Sequence, residues 1–168
     1  MHLSGQTEIA AGRQRVWDTV TDPRQVSACV PGQPKVEVVD DRRMKVTAVV
    51  GSGFLRTTVV VDIRLTDLQA PAHATAAASC VVMGGPVRAD GSLELTELPA
   101  GRTQATWSAD VTLGGFLARF AAMAEEPVRG GVDQTLACLR AKIEAAAAAE
   151  ATGSAEATGR GEAGGSAI

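Results

Sequence analysis

The side chains best suited to acid–base, nucleophilic or metal chemistry near neutral pH are histidine and cysteine, and this chain spends few of them. His2 lies near the terminus and His73 opens a strand-like segment just after Pro71-Ala72. Neither has a cysteine or carboxylate at the spacing of a zinc ligand set, so no metal centre is expected. Cys29, Cys80 and Cys138 are odd in number and far apart. That pattern argues against a disulfide framework and fits a reducing compartment. The run Gly51-Ser52-Gly53-Phe54-Leu55-Arg56 begins like a dinucleotide fingerprint. It lacks the third glycine and leads into a strand, so no helix N-terminus faces a phosphate, and it reads as a turn. Glu97 and Thr103 are the polar groups placed nearest a prospective interior, and neither has an evident acid or base partner. The chemistry-bearing residues therefore form no catalytic constellation and point towards binding.

The elements that position these residues follow from periodicity. Leu3, Gly5, Thr7 and Ile9 alternate with His2, Ser4, Gln6 and Glu8, as in a half-buried first strand. A helix over Arg13 to Thr21 carries Val16, Trp17 and Val20. A very short second helix follows, with Asp22 as N-cap, Pro23 at the first helical position, Val26 and Cys29 on one face, and Pro31-Gly32 as the stop. Lys35 to Val39 and Arg42 to Val50 form a predicted hairpin across Asp40-Asp41. From Phe54 to Leu65, Leu55, Thr57, Val59, Val61, Ile63 and Leu65 share one face, and polar or charged residues dominate the other. Strands over Ala72 to Met83, Val87 to Leu98 and Arg102 to Leu113 are separated by Gly84-Gly85-Pro86 and Pro99-Ala100-Gly101.

Beyond Gly114-Gly115, the residues Phe116, Phe120, Met123, Val128, Val132, Leu136, Leu139 and Ile143 keep helical spacing. Pro127 and Gly130-Gly131 predict a kink or short break near 125 to 131. The order is strand, two short helices, six further strands and a long helix. It predicts an α+β helix-grip fold, a seven-stranded antiparallel sheet wrapped around the long C-terminal helix. One domain is expected over residues 1–146. The Ala-, Gly-, Glu- and Ser-rich residues 147–168 are expected to be a disordered polar tail.

Composition narrows the function classes. A net charge of −3, with only Lys35, Lys45 and Lys142 as lysines and the arginines scattered, gives no basic patch for nucleic acid. No signal-peptide pattern opens the chain and no run of eighteen apolar residues occurs, so a soluble, cytoplasmic protein is expected. The inward positions are small, namely Ala105, Ala109, Thr57, Thr103, Gly91 and Ala89, and Tyr is absent. A core at native density favours larger interlocking groups, so these positions either leave room for a cavity or reflect the alanine and glycine bias of the whole chain. The cavity's expected wall is Leu55, Thr57, Val59, Thr103, Ala105, Trp107, Phe116, Phe120 and Met123.

The segments LSGQTEI, RVWDTVTDP, SACVPG and WSADVTLGGFLARFAAM, in this order and spacing, resemble the family of the carbon monoxide dehydrogenase G subunit. That family lies within the START and birch-pollen-allergen (SRPBCC) superfamily. The resemblance runs from about Met1 to Ile143. It implies a non-catalytic accessory protein with a hydrophobic cavity and no cofactor of its own. The implied cargo is a quinone or lipid, the implied partner a molybdenum hydroxylase of the carbon monoxide dehydrogenase type, and the implied setting peripheral contact with the membrane. The chain departs from the family pattern at Gly12, at Gly51-Ser52-Gly53, at Pro127, in the LACL of 136–139 and in a tail without an amphipathic face. An alternative within the superfamily is an enzyme of the polyketide cyclase or dehydratase kind, which would need an acid or base facing the cavity.

Overall fold

The computed structural model describes residues 1–161. Strand β1 (His2–Ile9) buries Leu3 and Ile9 on one side and leaves the alternating polar residues outside. Gly12 then starts α1 (Arg13–Val20) without a side-chain cap, and burial of Val16 and Trp17 holds that helix instead. Helix α2 (Pro23–Cys29) begins as the residue types dictate, with an Asp22 carboxylate oxygen accepting from the Arg24 N–H at 2.9 Å and Pro23 in the first turn. It ends where Val30 turns extended.

The remaining strands are β2 (Lys35–Asp40), β3 (Arg43–Val50), β4 (Thr57–Gln69), β5 (His73–Val82), β6 (Gly85–Leu98) and β7 (Arg102–Leu113). All neighbours are antiparallel, in the order β1-β7-β6-β5-β4-β3-β2, so the sheet is a meander whose first strand returns to the far edge. The edges, β1 and β2, are not paired with each other. On β2 the register to β3 shifts between Val38 and Asp40, which leaves Val39 as a bulge.

Several strand boundaries differ from the sequence reading by a residue or two, and Gly85 and Pro86, read as turn residues, open β6; the larger differences are at β4. Phe54 and Leu55 do not belong to the fourth strand, because Gly51 (φ 88°) and Gly53 (φ 59°) reverse the chain and Gly53–Leu55 forms a 3-10 turn. The strand runs instead from Thr57 to Gln69, with a register shift between Leu65 and Asp67. The β5–β6 hairpin turns on Met83 (φ 49°) and Gly84 (φ 81°), the two-residue geometry that matches strand twist.

After β7, a 3-10 segment (Gly115–Phe120) leads into α3 (Ala121–Gly161). The expected break near 125 to 131 does not occur. Pro127 is the seventh residue of α3. The bond it forfeits is the one to the Met123 carbonyl, and the helix runs on through it without a break. The segment 147–161, expected to be disordered, continues the same helix. Alanine is the best helix former, and Ala147 packs against the core while Arg15 pairs with Glu150. The rest of the expected tail, residues 162–168, lies outside the described residues.

The core joins Ile9, Ala11, Val16, Trp17, Ala74, Leu95, Ala105 and Ile143. It thus lies between α1, the later turns of α3 and one half of the sheet. Helix α3 packs on α1, α2, β1 and the 3-10 segment. Where α2 meets α3, Cys29 and Cys138 form a disulfide with their Cα atoms 5.5 Å apart. This corrects the reading of the cysteines. A separation of 109 residues and an odd count carry no information about which pairs the fold brings together. Cys80 on β5 stays free, and burial pushes its thiol pKa up.

Candidate functional site

Strand register decides which side chains point to the concave face. Ala74 pairs with Leu93 and Ala76 with Gly91, so these four share the side of the core, while Thr75 and Ser92 face away. On β4, Val61, Ile63 and Leu65 occupy the same side, opposite Val46 and Met44 of β3. Above this half of the sheet lie the end of α1 and the whole of α2. Between them is a partly open cavity of about 500 Å³, floored by β2–β6 and roofed by Val20, Pro23, Val26 and Val30.

The wall is chemically quiet. No charged side chain lines it, and its polar side chains are those of Thr21 and Ser27; Thr75, Ser92 and, on β7, Ser108 border it with their side chains turned to the other face of the sheet. Each hydroxyl already has a partner. Thr21 donates to the Trp17 carbonyl at 2.7 Å and Ser27 to the Arg24 carbonyl at 3.1 Å. Thr75 pairs with Thr66 at 2.7 Å, and Ser92 with Ser108 at 2.8 Å. A buried ionised group would find no counter-charge here, and the cost of desolvating it would go uncompensated. Such a wall suits a neutral, largely apolar guest and supplies no general acid or base.

The sequence profile of the carbon monoxide dehydrogenase G subunit (CoxG) matches residues 5–144. The chain belongs to the CoxG family. No curated protein matches it significantly. Among solved structures it resembles a conserved protein from Geobacillus kaustophilus, at 22% identity and a TM-score of 0.75, covering 85% of this chain and 95% of that one. It is also similar to a START superfamily protein from Mycobacterium smegmatis, with 10% identity, a TM-score of 0.63 and coverage of 85% and 97%. A Thermus thermophilus protein gives 14% identity, a TM-score of 0.64 and coverage of 87% and 99%. At these identities the likenesses establish the helix-grip, START-like fold.

In this CoxG family member the nine residues expected to line a cavity are dispersed. Val59, Thr103 and Ala105 are buried in the interior, and the Thr103 hydroxyl donates to the Ala11 carbonyl at 2.7 Å. Thr57 starts β4, half-buried. Trp107 lines a separate, more polar cleft of about 480 Å³ between β1 and α3, where its ring lies so close over Gly5 that a Cβ there would come within 2.8 Å. Glu144 at the edge of that cleft accepts from the Ala10 N–H at 3.1 Å and from Arg140 at 3.0 Å, which hold its carboxyl below the usual range. Leu55, Phe116, Phe120 and Met123 are exposed at one end of the sheet. None of the nine borders the large apolar cavity, although β4 contributes its predicted inward face through Val61, Ile63 and Leu65. Sequence reasoning missed the contributions of Val36, Met44, Val46 and α2. The alternation Met44, Val46, Ala48 is the signal that could have found part of them. Glu97, the candidate acid or base, is exposed and apart from the cavity.

The exposed apolar residues have a topological cause. The β3–β4 turn, the β5–β6 turn and the end of β7 fall at the same end of an antiparallel meander. Phe54 (96% exposed), Met83 and Met123 (75%) are carried there, together with Phe116 and Phe120. Leu117 reaches back over Gly85, which has no Cβ to obstruct it, and ties this end together. No helix among the described residues is long and apolar enough to cross a membrane.

Proposed function

We propose that this protein is a non-catalytic accessory subunit that holds a neutral lipophilic molecule, an isoprenoid quinone or a lipid, for a molybdenum hydroxylase of the carbon monoxide dehydrogenase type. The observation that carries this reading is the cavity beneath α2, apolar, uncharged and with every hydroxyl engaged. Family membership supports the association with a carbon monoxide dehydrogenase. A quinone ring and isoprenoid chain need burial and no counter-charge, which is what this wall offers. The direct test is native mass spectrometry of the purified protein after exposure to bacterial membrane lipids, followed by organic extraction. A stoichiometric quinone or lipid is expected. A clean apo mass under non-denaturing conditions would remove the carrier reading.

The exposed apolar end gives the same reading a route to its cargo. Phe54, Met83, Phe116, Phe120 and Met123, flanked by exposed Arg56 and Arg119, suit shallow insertion among anionic lipid headgroups. Phe54 and Met123 are the best probes, because their exposure frees the fold from depending on them. In vesicle co-sedimentation, F54E with M123E should weaken membrane partitioning by roughly tenfold or more, since burying one such side chain is worth about 1.5–3 kcal/mol. Unchanged partitioning would remove membrane contact at this end from the proposal.

A further inference from the structure

We infer that the Cys29–Cys138 disulfide is a redox latch on the apolar cavity, holding α2 down as its roof when oxidised and freeing it when reduced. This rests on the reading of that cavity as a binding site and adds its regulation. Helix α2 is seven residues long and its one buried residue is Cys29 itself. A helix of that length does not persist without outside support. At its start the support is the Asp22 cap; at its end it is the bond to α3. Just past that bond the chain leaving α2 does not close on α3. An apolar cleft of about 370 Å³ separates Val30 and Pro31 from Val128, Val132 and Leu136. Packing there is incomplete, so the sulfur bridge is the covalent tie at this end. Immediately after α2, Gly32 (φ 82°) and Gln33 (φ 44°) hold left-handed conformations, and nothing lies within 4 Å of a Cβ at Gly32. With the Gln33 N–H donating to the Val30 carbonyl at 3.0 Å as the local restraint, this open turn is where the chain has room to pivot once the tie is cut. Val26, Ser27 and Val30 would move with it, and they are part of the cavity roof.

The chemistry is thiol–disulfide exchange with a dithiol, of protein or small-molecule origin. A thiolate of the reductant attacks Sγ of Cys138, which is half-buried, whereas Cys29 is only 6% exposed. The S–S bond breaks and Cys29 leaves as a thiolate that takes up a proton. The second thiol of the reductant then resolves the mixed disulfide, freeing Cys138 as a thiol and leaving the reductant as a disulfide. Two electrons pass from the dithiol to the cystine. In a reducing compartment a bond of this kind is transient or redox-sensing.

The experiment uses the full chain and N-phenyl-1-naphthylamine, a neutral apolar fluorophore. Its dissociation rate is followed by stopped flow in air-oxidised protein, in protein reduced with dithiothreitol, and in C29S and C138S, with far-UV circular dichroism to confirm folding. Reduction should speed release roughly tenfold, since changes in affinity at one site fall mainly on the off-rate. Both variants should release at the reduced rate whether or not reductant is present. Binding to oxidised protein with the same release rate after reduction overturns the latch and leaves the binding site standing. So does alkylation of Cys29 and Cys138 in air-oxidised protein without reductant. Absence of probe binding in the oxidised protein overturns both the latch and the cavity reading. Should the variants misfold, reduced wild type gives the decisive comparison alone.

Discussion

Replacing Gly91 with isoleucine is expected to abolish most uptake of an apolar ligand while leaving the protein as stable as before or more so. Gly91 faces the cavity opposite Ala76, and a Cβ built there meets only the Ser108 carbonyl oxygen, at an ordinary 3.5 Å. The added side chain would extend into the empty space of about 500 Å³ that a ligand would otherwise fill. Glycine weakens a strand interior, and a β-branched residue in its place favours the extended backbone by up to about 1 kcal/mol. Covering apolar wall adds to this. The melting temperature should therefore hold or rise by about 2–4 °C, while affinity for a neutral apolar probe falls by roughly tenfold or more. Opposite signs are the point of the substitution. Parallel loss of binding and melting temperature would indicate damage to the fold, and unchanged binding with a stable fold would place the ligand elsewhere.

Breaking the cystine should have the largest effect on stability. The bond closes a loop across a separation of 109 residues, nearly from the first helices to the middle of the last. Disulfides typically stabilise by about 2–4 kcal/mol, largely by restricting the unfolded chain in the chain-entropy account, and long loops fall at the upper end of that range. For a domain of this size that corresponds to a fall in melting temperature of roughly 5–15 °C on reduction or in C138A. Thermal unfolding followed by circular dichroism, with and without reductant, reads the shift. C80S supplies the control, because Cys80 is unpaired and its loss should leave the response to reductant intact. Equal melting temperatures for oxidised, reduced and C138A protein would show that the bond contributes nothing to the fold.

Most of the architecture is legible in the sequence because periodicity carries it. Strict alternation along β1, β4 and β7, the Asp22-Pro23 start of α2 and the Pro99-Ala100-Gly101 turn each follow from local stereochemistry, and local rules suffice for them. Gly91 likewise falls on the inward face by alternation alone. What alternation does not report is depth. Thr103 and Ala105 share a strand face with positions near a cavity, yet Ala11, Ile143 and Leu95 fill the space around them. Phe116, Phe120 and Met123 keep helical spacing, but they come before α3 reaches α1 and have little to pack on. The cystine is invisible in the sequence for a related reason, since only the docking of α2 on α3 brings Cys29 to Cys138. At Pro127 the helix runs on because proline removes a single backbone bond and leaves those on either side in place, so it does not by itself end a helix of this length.

The open edge of the sheet at β2 has a consequence for how the protein survives at working concentration. A free strand edge offers unpaired amides and carbonyls to any other extended chain, and Val38 and Val39 add exposed apolar surface to the invitation. The bulge at Val39 breaks the regular spacing that an incoming strand would have to match, and Lys35, Glu37 and Asp40 set charges along the six-residue edge. Since Val36 of the same strand also forms part of the cavity, the edge is not simply dispensable. It encloses part of the cavity, and its bulge and charges are features that work against an incoming strand from another copy of the chain.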